Sequence, residues 1–196
     1  MKTVFLDKDG TLIPNIPYNV DPELISWAPG AARALQELHK AGYRLIVITN
    51  QSGVARGFFD EGALAAVEAR LREMMTQLGV RLSAFYYCPH HVEGMVERYS
   101  FACDCRKPEP GMLLRAMQEH GIDPHEAWYV GDFLSDIEAG RRAGCRTVLV
   151  TSEDEMPREL TPERLPHAVV EDLHQAARVI IALDELRQRK CNSHRS

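Results

Sequence analysis

The chain has 196 residues, 45% of them hydrophobic and 26% charged, with a formal net charge of −5. That is enough for one domain with a buried core, and the acidic balance weighs against a general nucleic-acid binder, whose affinity rests on neutralising phosphates. No apolar run approaches the roughly 18–20 residues that cross a bilayer, and "MKTVFLDKDG" reaches acidic residues too soon for a signal peptide.

In chain order, the first short apolar run is Thr3–Leu6, followed at once by "DKDGT", Asp7 to Thr11. A helical pattern over Gly30–Ala41 leads to a second run, Arg44–Thr49, which enters "TNQSG", Thr49 to Gly53. The spacing then predicts a helix over Asp60–Leu78, where Leu64, Val67, Leu71, Met74 and Leu78 recur at steps of three and four and make one core-facing stripe. A third run, Ala84–Cys88, is separated from a helix at Gly111–His120 by a segment ending in "CRKPEPG". Ala127–Val130 precedes "GDFLSD", Gly131 to Asp136, and a helix over Asp136–Ala143. Thr147–Val150 and Ala168–Val170 complete the strands, and Asp172–Arg189 is the last helix. Gly42, Gly79, Gly121 and Gly144 each follow a helical pattern where a left-handed cap belongs. The polar end "RQRKCNSHRS" reads as a disordered tail over 188–196, with Cys191 and His194 in it, leaving one domain over 1–187.

Continuously apolar strands alternating with helices imply an α/β fold, a three-layer arrangement of a parallel sheet with helices on both faces. Such sheets bind ligands outside the carboxyl ends of their strands. Four polar motifs fall at that edge. Each has an ordinary reading: "DG" is a turn pair, "TNQSG" a polar loop, Lys107 a solvated charge, and "SDIE" (Ser135 to Glu138) a capping box. Together they suit phosphoryl transfer to a carboxylate. Asp7 is the expected nucleophile. A dianionic phosphate repels it, so a divalent cation is needed, and oxygen ligands beside a phosphate point to Mg²⁺ on Asp7 and Asp132. Asp9, two residues on and pointing the same way in an extended segment, is the expected general acid and base. Thr49, Asn50 and Lys107 would stabilise charge on the phosphoryl oxygens.

"DKDGT", "TNQSG", the lysine of "CRKP" and "GDFLSD" resemble the four motifs of the haloacid dehalogenase (HAD) superfamily phosphatases. The resemblance implies a Rossmannoid core without a large cap domain, phosphomonoester hydrolysis through an aspartyl-phosphate, and the Asp9 backbone carbonyl as a further Mg²⁺ ligand. Within the superfamily the chain is similar to the branch that joins histidinol-phosphate and D-glycero-D-manno-heptose 1,7-bisphosphate phosphatases, both of which carry a zinc loop before "RKP". Here Cys88-Pro-His90 and Cys103-Asp-Cys105 enclose twelve residues, and that longer loop, with "TNQSGVARGFF", resembles the heptose enzymes. The residue after Asp132, often lysine in those enzymes, is Phe133, and "IPNIPYNVDPELI" also differs from their commonest versions.

In a reducing compartment clustered cysteines read as metal ligands or catalytic groups before disulfides. Cys88, His90, Cys103 and Cys105 would close a tetrahedral, structural Zn²⁺ site; the resembling spacing favours His90 over His91, which is left to the loop or the substrate. The loop would then deliver Arg106 and Lys107, with Arg106 and Arg56 as substrate-binding residues. The expectation is a cytoplasmic, monomeric phosphatase of a small phosphorylated metabolite, removing the C7 phosphate of heptose 1,7-bisphosphate. Its alternatives are a histidinol-phosphate or other sugar-phosphate phosphatase, a polynucleotide 3′-phosphatase, and a non-catalytic zinc- and phosphate-binding module.

Overall fold

The computed structural model describes residues 1–151 and 161–193. Six strands, β1 (Thr3–Leu6), β2 (Arg44–Asn50), β3 (Leu82–Cys88), β4 (Ala127–Gly131), β5 (Arg146–Val150) and β6 (Ala168–Val170), alternate with α1 (Ala31–Lys40), α2 (Glu61–Gln77), α3 (Gly111–His120), α4 (Leu134–Arg142) and α5 (Leu173–Ser193). Local chemistry sets several boundaries. Asp60 caps α2 by accepting from the Ala63 N–H at 3.1 Å. The four glycines expected at helix ends all have positive φ. Three boundaries move by two residues or more, and the first is that β3 starts at Leu82 rather than Ala84. Helix α4 begins at Leu134, so Asp136 lies inside its first turn and Ser135 is not the cap. Helix α5 runs on to Ser193, past Arg189 and through most of the stretch read as a tail; His194 lies outside the described residues.

Every strand pairing is parallel, and the order is β3-β2-β1-β4-β5-β6. Strands this apolar need cover on both faces, and they have it. Val4 and Leu6 share one core with α1, α2 and α5, while Phe5, Ile46, Ile48 and Tyr129 share the other with α3 and α4. The period of two along β1 thus feeds two separate cores from one four-residue strand.

The order reverses at β1, which has β2 on one side and β4 on the other. That is the switch point of a doubly wound sheet, where the connections diverge and leave a crevice. The ladder continues one residue beyond β1, since the Asp7 N–H donates to the Val130 carbonyl at 2.9 Å. This bond sets Asp7 beside the end of β4, and so beside Asp132. The connections 7–30 and 89–110 contain single 3₁₀ turns and no further strand or α-helix. Among the described residues there is no cap domain. No described helix is long and apolar enough to cross a membrane.

Candidate active site

A pocket of about 420 Å³ opens at the switch point, lined at its base by Asp7, Asp9, Thr49, Asn50, Lys107 and Asp136. Four elements converge there: the segments after β1 and β4, the end of β2, and the turn before α3. The centre is the buried ammonium of Lys107. It donates to Asp7 Oδ1 at 2.6 Å and to the Ile48 carbonyl at 3.2 Å, and pairs with Asp136 Oδ1 at 2.7 Å. An ammonium has three donors, and all three are placed. Its two carboxylate partners hold its pKa above the ordinary lysine value, although burial opposes this.

Asn50 lines the pocket as expected and is bonded to its neighbour as well. Its side chain brackets the Lys107 backbone, accepting from the Lys107 N–H at 3.1 Å and donating to the Lys107 carbonyl at 3.2 Å. It therefore holds the lysine in place from the wall of the pocket. Thr49 is buried, and its hydroxyl accepts from Gln51 Nε2 at 2.8 Å. The same Gln51 nitrogen donates to Asp9 Oδ2 at 3.0 Å, while the buried Lys8 ammonium pairs with Asp9 Oδ1. The chain turns after Lys8 instead of running extended, yet Asp7 and Asp9 still line the same pocket.

One oxygen each of Asp7, Asp132 and Asp136 lies within 4.8 Å of the others. Gly10 makes this approach possible: its φ is +84°, and a Cβ there would fall 2.0 Å from Asp132 Oδ2. Burial, then the charges of Asp7 and Asp136, push the Asp132 carboxyl up to about 8. Burial likewise pushes Asp136 up to about 6, against the pull of Lys107. Asp136 also accepts from Phe133 N–H at 3.0 Å and Tyr129 O–H at 3.3 Å, so it serves both the helix terminus and the lysine. Three crowded carboxylates around one ammonium leave a negative excess, and a divalent cation between Asp7 and Asp132 fits that excess in charge and ligand type.

The cysteine cluster lies on the approach to the same turn. The Cys88, Cys103 and Cys105 sulfurs are 3.2–3.6 Å apart, and His90 Nδ1 lies 3.7 Å from Cys88 Sγ and 3.3 Å from Cys105 Sγ. The sulfurs are too far apart for a disulfide, whose bond is about 2.0 Å. Four N/S donors at such spacings suit a closed tetrahedral zinc site with bonds of about 2.0–2.3 Å. His91 stands outside this donor group, 3.3 Å from Arg56, and burial and the neighbouring Arg106 and Arg56 hold its pKa down. Arg106 lines the pocket and donates to the His90 carbonyl at 3.3 Å. Arg56 lies outside the lining; its guanidinium turns to His91 and to Glu93, 3.7 Å away.

Sequence reasoning passed over Gln51, Lys8 and Tyr129. Gln51 was legible in principle, since it sits within "TNQSG". Lys8 and Tyr129 carry no signal of their own, because a lysine after an aspartate and a tyrosine in a strand are both commonplace.

A 3-2-1-4-5-6 sheet with carboxylates just past β1 and β4 and a lysine bridging the first of them, Asp7, to Asp136 in α4 defines a HAD-like hydrolase. Residues 104–176 match the HAD-hydrolase-like family. The D-glycero-beta-D-manno-heptose-1,7-bisphosphate 7-phosphatase of Pasteurella multocida is 45% identical over 150 residues, 76% of this chain and 81% of that protein. The enzyme of the same name from Escherichia coli K12 is 38% identical over 160 residues, 82% of each chain. Among solved structures, the D,D-heptose 1,7-bisphosphate phosphatase of B. bronchiseptica, complexed with magnesium and phosphate, superposes with a TM-score of 0.81 at 31% identity, covering 93% of this chain and 99% of that one. The chain belongs to this heptose bisphosphate phosphatase family of HAD-like hydrolases.

Proposed function

We propose that the protein is a phosphomonoesterase that removes the C7 phosphate of D-glycero-beta-D-manno-heptose 1,7-bisphosphate. The observation that carries this reading is the convergence of Asp7, Asp9 and Lys107 on one pocket, in a chain that spans most of the length of relatives bearing that activity in their names.

The Asp7 carboxylate attacks phosphorus, and the bond from phosphorus to the C7 oxygen breaks. Asp9, in its acid form, gives its proton to the departing oxygen, leaving an aspartyl-phosphate on Asp7. Asp9 then takes a proton from water as that water attacks phosphorus, which frees orthophosphate and restores Asp7. Gln51 and Lys8 hold the two oxygens of Asp9 in position. Lys107 orients Asp7 and offsets charge that builds on the transferring group, and Asn50 holds Lys107 in place. Mg²⁺, held by the Asp7 and Asp132 side chains and the Asp9 backbone carbonyl, would screen the phosphate's charge from Asp7.

Zinc on Cys88, His90, Cys103 and Cys105 has a structural part in this reading. The cluster ends one residue before Arg106 and two before Lys107, so closing it fixes the backbone that presents both cations. Arg106 then grips the distal part of the substrate, as a guanidinium fork suits.

The test is a phosphate-release screen of heptose bisphosphates, hexose bisphosphates, histidinol phosphate and 3′-phosphorylated oligonucleotides, run beside Asp7→Asn. The expected result is preference by orders of magnitude for the heptose bisphosphate, with turnover lost and zinc retained in the variant. Equal rates across the panel, or undiminished turnover in Asp7→Asn, would overturn it.

A further inference from the structure

The base of the pocket is polar and charged, while its exposed mouth mixes polar side chains with a group of apolar ones. Ile16, Pro17, Tyr18 and Phe133 line it, from the connections that follow β1 and β4. These are not residues left over from the core: Ile16 is 41% exposed, Tyr18 48% and Phe133 57%. Tyr18 is held there at a cost. It is the one described non-glycine residue with positive φ, at 56°, and its ring packs edge-on against the exposed Phe58 at 4.6 Å. Scattered exposed apolar side chains need no explanation, whereas a group of them around a binding pocket does.

Charge points the same way. Two lysine or arginine residues line the pocket: Lys107, committed to Asp7 and Asp136, and Arg106. One guanidinium is therefore available to the distal part of a ligand, and the rest of the lining combines the apolar group with uncharged polar side chains such as Asn15, Asn19 and Ser135. A ligand matched to this mouth has a phosphate at one end and a face of C–H groups beside it. A pyranose ring has such a face, and the negative face of an aromatic ring attracts C–H hydrogens as it does other positively polarised edges.

We infer that Phe133 is a specificity-determining residue: its ring stacks on the C–H face of the sugar, with Tyr18, braced by Phe58, bounding the same ring. Ring recognition by stacking supplements the single guanidinium of Arg106. This inference rests on the heptose bisphosphate reading and concerns how that substrate is told apart from smaller phosphomonoesters.

The experiment compares kcat/KM for D-glycero-D-manno-heptose 1,7-bisphosphate with that for glycerol 3-phosphate, which has no ring, in the wild type and in Phe133→Ala, Phe133→Leu and Phe133→Tyr. Losing one stacked contact should lower the ratio of the two constants about tenfold in Phe133→Ala. Phe133→Leu should fall nearly as far, and Phe133→Tyr should stay within about twofold. Unfolding midpoints serve as the control, and because the side chain is exposed they should not move. An unchanged ratio in Phe133→Ala overturns the inference, and full retention in Phe133→Leu overturns the aromatic part of it. A wild type that does not favour the heptose bisphosphate over glycerol 3-phosphate overturns the heptose reading itself, and with it the occupant assigned to this rim.

Discussion

Replacing Lys107 with methionine tests the electrostatic centre of the site directly. The substitution keeps most of the side-chain volume but removes an ammonium bonded at 2.6 Å to Asp7, 2.7 Å to Asp136 and 3.2 Å to the Ile48 carbonyl. All three partners are at least nearly buried, so water does not replace what is lost. Removing one partner from a buried, hydrogen-bonded ion pair costs about 3–5 kcal/mol, because the charge left behind has no compensation. Such a loss is a large share of a typical domain stability of about 5–15 kcal/mol, so unfolding reads it clearly and the same curve gives the folded fraction to which kcat is referred. The same ammonium offsets charge on the transferring phosphoryl group, and loss of one such preorganised donor lowers kcat by about 10²–10³. The assay pairs urea unfolding with phosphate release from the heptose bisphosphate, both with saturating Mg²⁺. The expected result is a lower unfolding midpoint together with the fall in kcat. A variant with kcat within tenfold of wild type and an unmoved midpoint would refute the reasoning. It would mean that Asp7 and Asp136 do not depend on this lysine.

Other expectations follow from the same structure. Asp132 and Asp136 have folded-state pKa values raised to about 8 and about 6, above the ordinary carboxyl value of 3.8. The stability linked to their protons is therefore full below about pH 4 and lost as pH rises through about 6 and then 8. Without Mg²⁺ the urea midpoint should fall across that range, and Mg²⁺ should flatten the slope; a pH-independent midpoint would contradict this. Cys103→Ala should release zinc, lower the melting temperature and raise KM, as read by metal analysis and kinetics, and full zinc retention would remove Cys103 from the ligand set. Asp184, distant from the pocket, is buried and accepts from Tyr43 at 2.7 Å, Arg146 at 2.5 Å and Trp128 at 3.2 Å. Burial raises its pKa, but the bonds from Tyr43 and Arg146 outweigh this and hold it below the ordinary value. Its stabilisation is thus present above the unfolded carboxyl pKa near 4 and lost as pH falls below that. Asp184→Asn should cost about 3–5 kcal/mol near neutrality and less in acid, by urea unfolding at each pH.

By itself the sequence determined the alternation of strands and helices, most of their boundaries and the four polar motifs at strand ends. These are local properties. A run such as Val4–Leu6 is apolar at every position because both faces of its strand are covered, and a glycine past a helix marks a left-handed cap wherever the helix lies. The two groups that could hold a metal were legible as residues, the carboxylates at strand ends and the clustered cysteines, while the choice of His90 over His91 came from the resemblance to the family. What only the tertiary structure decided was which polar atom meets which. Asn50 reads as a pocket residue, and only when β2 is set beside the turn before α3 does its amide also bracket the backbone of a residue 57 positions away. Asp136 reads as a residue of a helix start, and it does bond the Phe133 N–H there, but only the fold adds Lys107 from another connection at 2.7 Å. Arg56 reads as facing the substrate, and the folded loop turns it to His91 and Glu93. Phe133 reads as a departure from a pattern, and the fold gives it a place at the mouth of the pocket. Hydrogen bonds and ion pairs act over about 3 Å, so their partners are set by how distant segments pack. Periodicity along one chain carries no record of that distance.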